Sequence, residues 1–259
     1  MKALLPGLCI MLGMFTAIPV KETEWTEENR RFALALLPAA GFLCGLASLL
    51  WLLIAGAMGL PALLTGAGLF LIPLFLTGGV HLDGFADTAD AAACWGDREK
   101  RRQVLKDPHT GAFAVIRVCS LLILYFALLS TPVPESVFLR GLALTGILML
   151  GRAFAALTLL LTPKASDTGL GAAFSLPAEG KISCLLLLLQ SALAAAFLLA
   201  ADLGAGVFAL LAGILAAYLC RRRALRLFGG FSGDPAGSTV CIAEAAMLSV
   251  FTLFTYLPL

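Results

Sequence analysis

Residues 111–162 read GAFAVIRVCSLLILYFALLSTPVPESVFLRGLALTGILMLGRAFAALTLLLT. Two apolar runs, at about 111–131 and 137–162, flank a short connection at 132–136. Each is as long as the ~20 apolar residues a helix needs to cross a bilayer. Backbone polar groups in lipid must bond within their own segment, so such runs are helices. Similar runs lie at about 32–57, 60–80, 183–201, 205–220 and 238–257, the 205–220 run being the shortest. The whole chain agrees with this reading. Of 259 residues, 60% are hydrophobic and 13% charged, against roughly 45–50% and about 25% in a soluble domain. The expected fold is all-α: a polytopic transmembrane helix bundle of about seven spans. An N-terminal apolar segment precedes it, running to Val20 and broken at Ile18-Pro19. It lacks a clear cleavage site and is read as retained, on the membrane or as a short extra span. No repeat or linker divides the chain, so residues 1–259 form one membrane domain.

The connecting segments alternate in charge. Those at 21–31, 81–110, 163–182 and 221–237 carry Lys and Arg; those at 58–59, 132–136, 202–204 and 257–259 carry none. Basic loops stay in the cytoplasm. The expected location is therefore the cytoplasmic (inner) membrane, multi-pass, with the long basic loops and any site on the cytoplasmic face. The net charge of +2 is too small to imply nucleic acid. The seven cysteines form no CxxC pair and read as small apolar side chains with free thiols.

Chemistry concentrates at 78–97, GGVHLDGFADTADAAACWGD. Asp83, Asp87 and Asp90 are spaced i, i+4, i+7, which puts them on one helical face. Three like charges at a membrane boundary call for a divalent cation. All-oxygen donors favour Mg²⁺, Mn²⁺ or Ca²⁺, and a carboxylate-held Mg²⁺ completes its shell with phosphate and water. The competing reading is a solvated first helical turn; it suits Asp83 and does not reach Asp90. The three carboxylates are expected to converge on a cavity near Asp234. His81, just before them, is a candidate ligand or base. The run Asp97-Arg98-Glu99-Lys100-Arg101-Arg102 sets topology and meets lipid headgroups, or clamps phosphate through Arg98, Arg101 and Arg102. Asp107 and His109 lie in the same compartment, ahead of a turn at Pro108 and Gly111. Residues 229–237, GGFSGDPAG, carry four glycines together with Asp234, in a loop that suits close backbone approach to a ligand at Gly233. Arg152 and Glu244 are ionisable groups inside spans, where function is the default hypothesis and pairing with polar groups elsewhere in the bundle the alternative. The segment 163–174, with Lys164, Asp167, Gly169 and Gly171, is a weaker loop signal.

The stretch GGVHLDGFADTAD resembles the signature of the cobalamin synthase family, also called adenosylcobinamide-GDP ribazoletransferase or cobalamin-5′-phosphate synthase. Three further segments resemble that family in order: Phe15–Val20, Lys106–Phe113, and Gly230–Gly237 followed by Glu244. Ala17 stands where the family often has Arg, Ser232 replaces a usual Thr, and the 163–171 loop lacks an Arg before its glycines. The resemblance implies a Mg²⁺-dependent transferase of the last assembly step of coenzyme B12. A ribose hydroxyl of α-ribazole, or of its 5′-phosphate, would displace GMP from adenosylcobinamide-GDP. Asp83, Asp87 and Asp90 would hold Mg²⁺ on the diphosphate, and Asp90 or His81 would take the hydroxyl proton. The remaining candidates named above would bind substrate. Membrane lipid is the surrounding partner, and a homo-oligomer is left open. Two alternatives differ in detail. A CDP-alcohol phosphotransferase of lipid synthesis would want Asp at Val80 and Arg at Asp87. A cation-coupled transporter would place its carboxylates in mid-span, often in two repeats.

Overall fold

The computed structural model describes residues 3–133, 136–165 and 181–256. Asp167, Gly169 and Gly171 of the 163–174 loop, and the segment 257–259, lie outside the described residues. Eleven helices are present among the described residues: α1 Leu4–Phe15, α2 Glu27–Ala35, α3 Leu37–Ala57, α4 Ala62–Leu76, α5 Val80–Ala93, α6 Arg98–Val104, α7 Ala112–Ser130, α8 Val137–Leu160, α9 Lys181–Ala201, α10 Leu203–Phe228 and α11 Gly233–Tyr256. The one β-type pairing among them is an isolated bridge between Lys164 and Phe231.

Six helices (α3, α7, α8, α9, α10 and α11) are long and apolar enough to cross a membrane. The pair α4–α5 passes the same test jointly but turns through 87° at its break. Counting that pair as one span gives up to seven, in line with the seven apolar runs. The turn is local chemistry. Gly78 and Gly79 take φ of 61° and 75°, a region that costs an L-residue about 1–2 kcal/mol. Thr77 adds a hydroxyl bond back to the Pro73 carbonyl at 2.8 Å. The 205–220 run is the core of a 26-residue helix, whose last turns carry the arginines past the apolar part. The 238–257 run likewise begins earlier, at Gly233. The 32–57 run divides at Leu36 into α2 and α3. α1 has 12 residues, a length of ~18 Å against a hydrocarbon core of ~30 Å. It packs on α2 and falls short of a span by itself.

α8 is the centre of the bundle. Of its apolar window 78% is buried, against 11% for α7, so α7 turns most of its surface outward, as a lipid-facing helix does. α8 packs on α3, α9, α10 and α11. Its contact with α3 is close because a Cβ on Gly41 would lie 2.4 Å from the Leu148 carbonyl oxygen, and one on Gly45 would lie 2.4 Å from Thr145 Oγ1. Small residues four apart allow this approach in lipid, where van der Waals packing drives association. Gly56, third in the same helix, meets nothing closer than 4.0 Å and takes no part in it.

Candidate active site

α5 carries the acidic stripe and is held from two sides, by α11 and α7. Its crossing with α11 is backbone on backbone. A Cβ on Gly84 would sit 3.0 Å from Asp234 Cα, and a Cβ on Gly237 would sit 3.1 Å from the His81 carbonyl oxygen. The first motif and the glycine-rich motif 150 residues later therefore touch. The consequence is electrostatic: Asp234 feels the like charges of Asp87 and Asp83, and Asp87 those of Asp83 and Asp90. Among the described residues none of these four carboxylates has an ion-pair partner.

Asp90 is placed differently from its two neighbours. Its carboxylate accepts the Gly111 amide at 2.5 Å and the Ala114 amide at 2.8 Å. It thus satisfies the unpaired N–H groups at the start of α7. A Cβ on Gly111 would lie 2.8 Å from Asp90 Oδ1, so Gly111 is the residue type that permits this cap. The Asp90 carboxylate is thus engaged by α7, while its charge still acts on Asp87, and Asp234 lies close enough to Asp83 and Asp87 to feel both. Among the described residues no three His, Cys, Asp or Glu side chains are gathered to hold a metal ion between them.

A cleft of about 170 Å³ lies at this crossing, with Phe15, His81, Asp83, Gly84, Gly233 and Asp234 in its wall. The N-terminal motif thus reaches the same place, and the Ala17 amide donates to the Leu76 carbonyl at 2.8 Å, tying that segment to the α4–α5 turn. His81 is 8% exposed. Its ring stacks on Phe15 with centroids 5.9 Å apart, and its Nε2 has no hydrogen-bond partner among the described residues.

The arginines of the basic run serve helix ends. Arg101 donates to the Ala92 carbonyl at 2.8 Å, at the end of α5. Arg102 donates to the Phe228 carbonyl at 2.8 Å and Arg98 to the Arg226 carbonyl at 3.2 Å, at the end of α10. Cations there oppose the negative end of the helix dipole. Asp107 and His109 are exposed and bond each other at 2.7 Å. The His109 backbone amide, then its ring, holds the Asp107 carboxyl below the usual range. Arg152 and Glu244 pair with each other at 2.7 Å, both buried. Tyr125 completes that group, its hydroxyl 3.4 Å from Glu244 Oε2. Gly230 lets the last motif meet the 163–165 strand-like segment, since a Cβ there would lie 2.4 Å from the Lys164 carbonyl. In that contact the Ala165 amide donates to the Phe231 carbonyl at 3.1 Å and the Phe231 amide donates to the Pro163 carbonyl at 2.8 Å.

Two groups escaped the sequence reading. Tyr125 is a lone hydroxyl in an apolar run and gives no signal. Arg117 does: it is a cation inside the apolar run of α7, of the kind that marks function. It lines a small pocket with Arg223, Thr88 and Ser238. Arg223 feels the charges of Arg117, Arg226 and Arg101, so the pocket is cationic, and the buried Thr88 hydroxyl in it has no partner among the described residues.

Acidic cleft, cationic pocket and interlocked motifs coincide with relationships across the whole chain. The family model for cobalamin-5-phosphate synthase matches residues 7–252. The chain is similar to the adenosylcobinamide-GDP ribazoletransferase of Lachnoclostridium phytofermentans, at 32% identity over 90% of this chain and 88% of that protein. It is similar to those of Clostridium botulinum strain Alaska E43, at 32% over 98% and 100%, and Pseudomonas aeruginosa strain UCBPP-PA14, at 34% over 98% and 100%. No solved structure matches it. With motifs that meet in space and relatives aligned nearly end to end, the chain belongs to the cobalamin-5-phosphate synthase family.

Proposed function

We propose that this chain is an adenosylcobinamide-GDP ribazoletransferase of the cytoplasmic membrane, acting in the final assembly of coenzyme B12 on the cytoplasmic side. The observation that carries the reading is the Gly84–Gly237 crossing, which sets Asp83 against Asp234 in one cleft, with Asp87 near enough to act on Asp234 through its charge. Carboxylates that feel one another's charge, without a cationic side chain on them, are stabilised by a bound cation. Their hard oxygen donors fit Mg²⁺. Asp83, Asp87 and Asp234 are the residues that would hold such an ion. When bound, such an ion supplies charge neutralisation and orientation of the phosphoryl group.

The protein's own groups do the rest. Asp83, Asp87 and Asp234 would position the diphosphate through the cation they hold. Arg117 and Arg223 offer the opposite charge across α5, and Arg98, Arg101 and Arg102 keep the ends of α5 and α10 in place for them. Asp90 sets α7 against α5. A ribose hydroxyl of α-ribazole, or of its 5′-phosphate, attacks the phosphorus attached to the cobinamide side. The new P–O bond forms as the bond to the bridging oxygen breaks, and GMP leaves with that electron pair. The unpartnered His81 Nε2 takes the hydroxyl proton. Phosphoryl transfer of this kind is positioning and charge stabilisation above all.

The test is GMP release by the purified full chain given adenosylcobinamide-GDP, α-ribazole and Mg²⁺. Loss of one oxyanion-stabilising group elsewhere costs roughly 10²–10³ in rate. Asp83→Asn and Asp87→Asn should lose at least that much while remaining inserted, and their residual turnover should depend less on Mg²⁺. Near-normal turnover by Asp87→Asn at ordinary Mg²⁺ overturns the assignment.

A further inference from the structure

The acidic cleft has two unlike walls. α5 and α11 bring Asp83 and Asp234 to one of them. The other is built by α1, α2, α3 and α8, and every side chain those four helices contribute to it is apolar. Met14 and Phe15 come from α1, Leu37 from α3 and Leu159 from α8. Met14, Phe15 and Leu159 are half-buried, so they keep surface to offer a ligand. The Phe15 ring lies against that of His81, 18° from parallel, and so links the two walls. Asp83 is exposed, which opens the cleft on its carboxylate side. A space of this kind suits a ligand with two unlike halves. A diphosphate suits the carboxylate wall, through a cation, but loses its hydration against the apolar one. A lipid acyl chain suits the apolar wall and gives the carboxylates nothing to hold. A nucleoside with a flat, apolar base suits both.

We infer that the apolar wall of the acidic cleft is the subsite for the base of the nucleoside acceptor, and that it selects a flat base without exocyclic hydrogen-bonding groups; the inference rests on the transferase reading. The Met14 thioether and the Phe15 ring are contacts that a flat ring favours. An apolar cavity of ~150 Å³ admits a benzene ring. The cleft has about 170 Å³ and continues toward its open carboxylate side, where the ribose lies. No side chain of the apolar wall can pair with an exocyclic amino or oxo group. Burying such a group unpaired discriminates against it by roughly tenfold to a hundredfold. The guanine of the activated substrate carries both kinds of group, so the same wall turns it away. Donor and acceptor are thereby kept from exchanging places.

The test uses the full chain in lipid nanodiscs, with α-ribazole and the α-riboside of adenine, which carries an exocyclic amino group, as probes. The wild type should bind α-ribazole at least tenfold more tightly. Equal affinities overturn the subsite, whatever any variant does. Met14→Trp and Leu159→Phe narrow the apolar wall from two different helices. In either variant that keeps the wild-type unfolding midpoint, Kd and KM for α-ribazole should rise roughly tenfold or more, and KM for adenosylcobinamide-GDP should move far less. An equal rise for both substrates, or unchanged α-ribazole affinity in a folded variant with GMP release intact, overturns the subsite and leaves the transferase reading standing. Wild-type protein that prefers α-ribazole, loses its binding on narrowing, and releases no GMP overturns the transferase reading and leaves the subsite standing.

Discussion

Asp83 and Asp90 are separated by seven residues of one helix and do different work. Asp90 spends its oxygens on the first turn of α7; Asp83 faces the cleft. Replacing an N-capping acceptor costs about 0.5–2 kcal/mol. Asp90→Ala should therefore lower the unfolding midpoint in nanodiscs as well as activity, whereas Asp83→Ala should abolish turnover with the midpoint unmoved. The same midpoint measured for both variants would sink the distinction. Arg152 and Glu244 give a second contrast. Removing one partner of a buried pair typically costs about 3–5 kcal/mol, and replacing both with apolar groups can cost far less. Arg152→Met alone should destabilise strongly, and Arg152→Met with Glu244→Leu should recover most of the loss in chemical denaturation. In the sequence each of these two residues stands out as an ion inside an apolar run. Their pairing across 92 positions does not, because periodicity orders residues within a helix and says nothing about which helices meet. The cap at Asp90 was hidden for the same reason. Its i, i+4, i+7 spacing correctly gave a shared stripe, and the α7 amides then claimed one member of it.

At the scale of elements, the critical object is the crossing of α5 and α11. Alanine is the smallest possible intrusion there. At Gly84 its Cβ would press on Asp234 backbone, which cannot rotate away. Gly84→Ala should cut GMP release steeply while helix content by circular dichroism stays native, since the helices separate without unwinding. Full activity in that variant would mean the crossing does not set the site. Gly56→Ala, with open space around it, is the matched control and should be silent. The apolar runs located every spanning helix. They misjudged where the helices begin and end, because a hydropathy run stops where charge begins and a helix does not. α10 continues through its arginines, and α11 starts on Gly233 and Asp234. The α4–α5 turn was not read from the sequence, because Gly78 and Gly79 sit at the end of the 60–80 apolar run and hydropathy carries no signal of an 87° bend.

For the whole molecule, the alternation of charged and uncharged connections predicts orientation. A reporter fused after Leu259 should behave as periplasmic, and one inserted beside Lys181 as cytoplasmic; the reverse pattern would put the acidic cleft on the wrong side of the membrane. Charge alternation needs no tertiary contact to be read, so the sequence alone yields an orientation to test, whereas the glycine crossing that closes the cleft depends on which helices meet. The Gly84–Gly237 crossing also sets an order in time. Ribosomes deliver the acidic stripe of α5 some 150 residues before its partner glycine, and at about 5–20 residues per second that interval is many seconds. During it the nascent chain can insert its earlier spans, yet lacks Asp234 and the wall that α11 provides. A ribosome-stalled or nonsense-truncated product ending before Gly233 would sit in the membrane as an inert passenger, and catalytic competence would appear only with the final hairpin of synthesis.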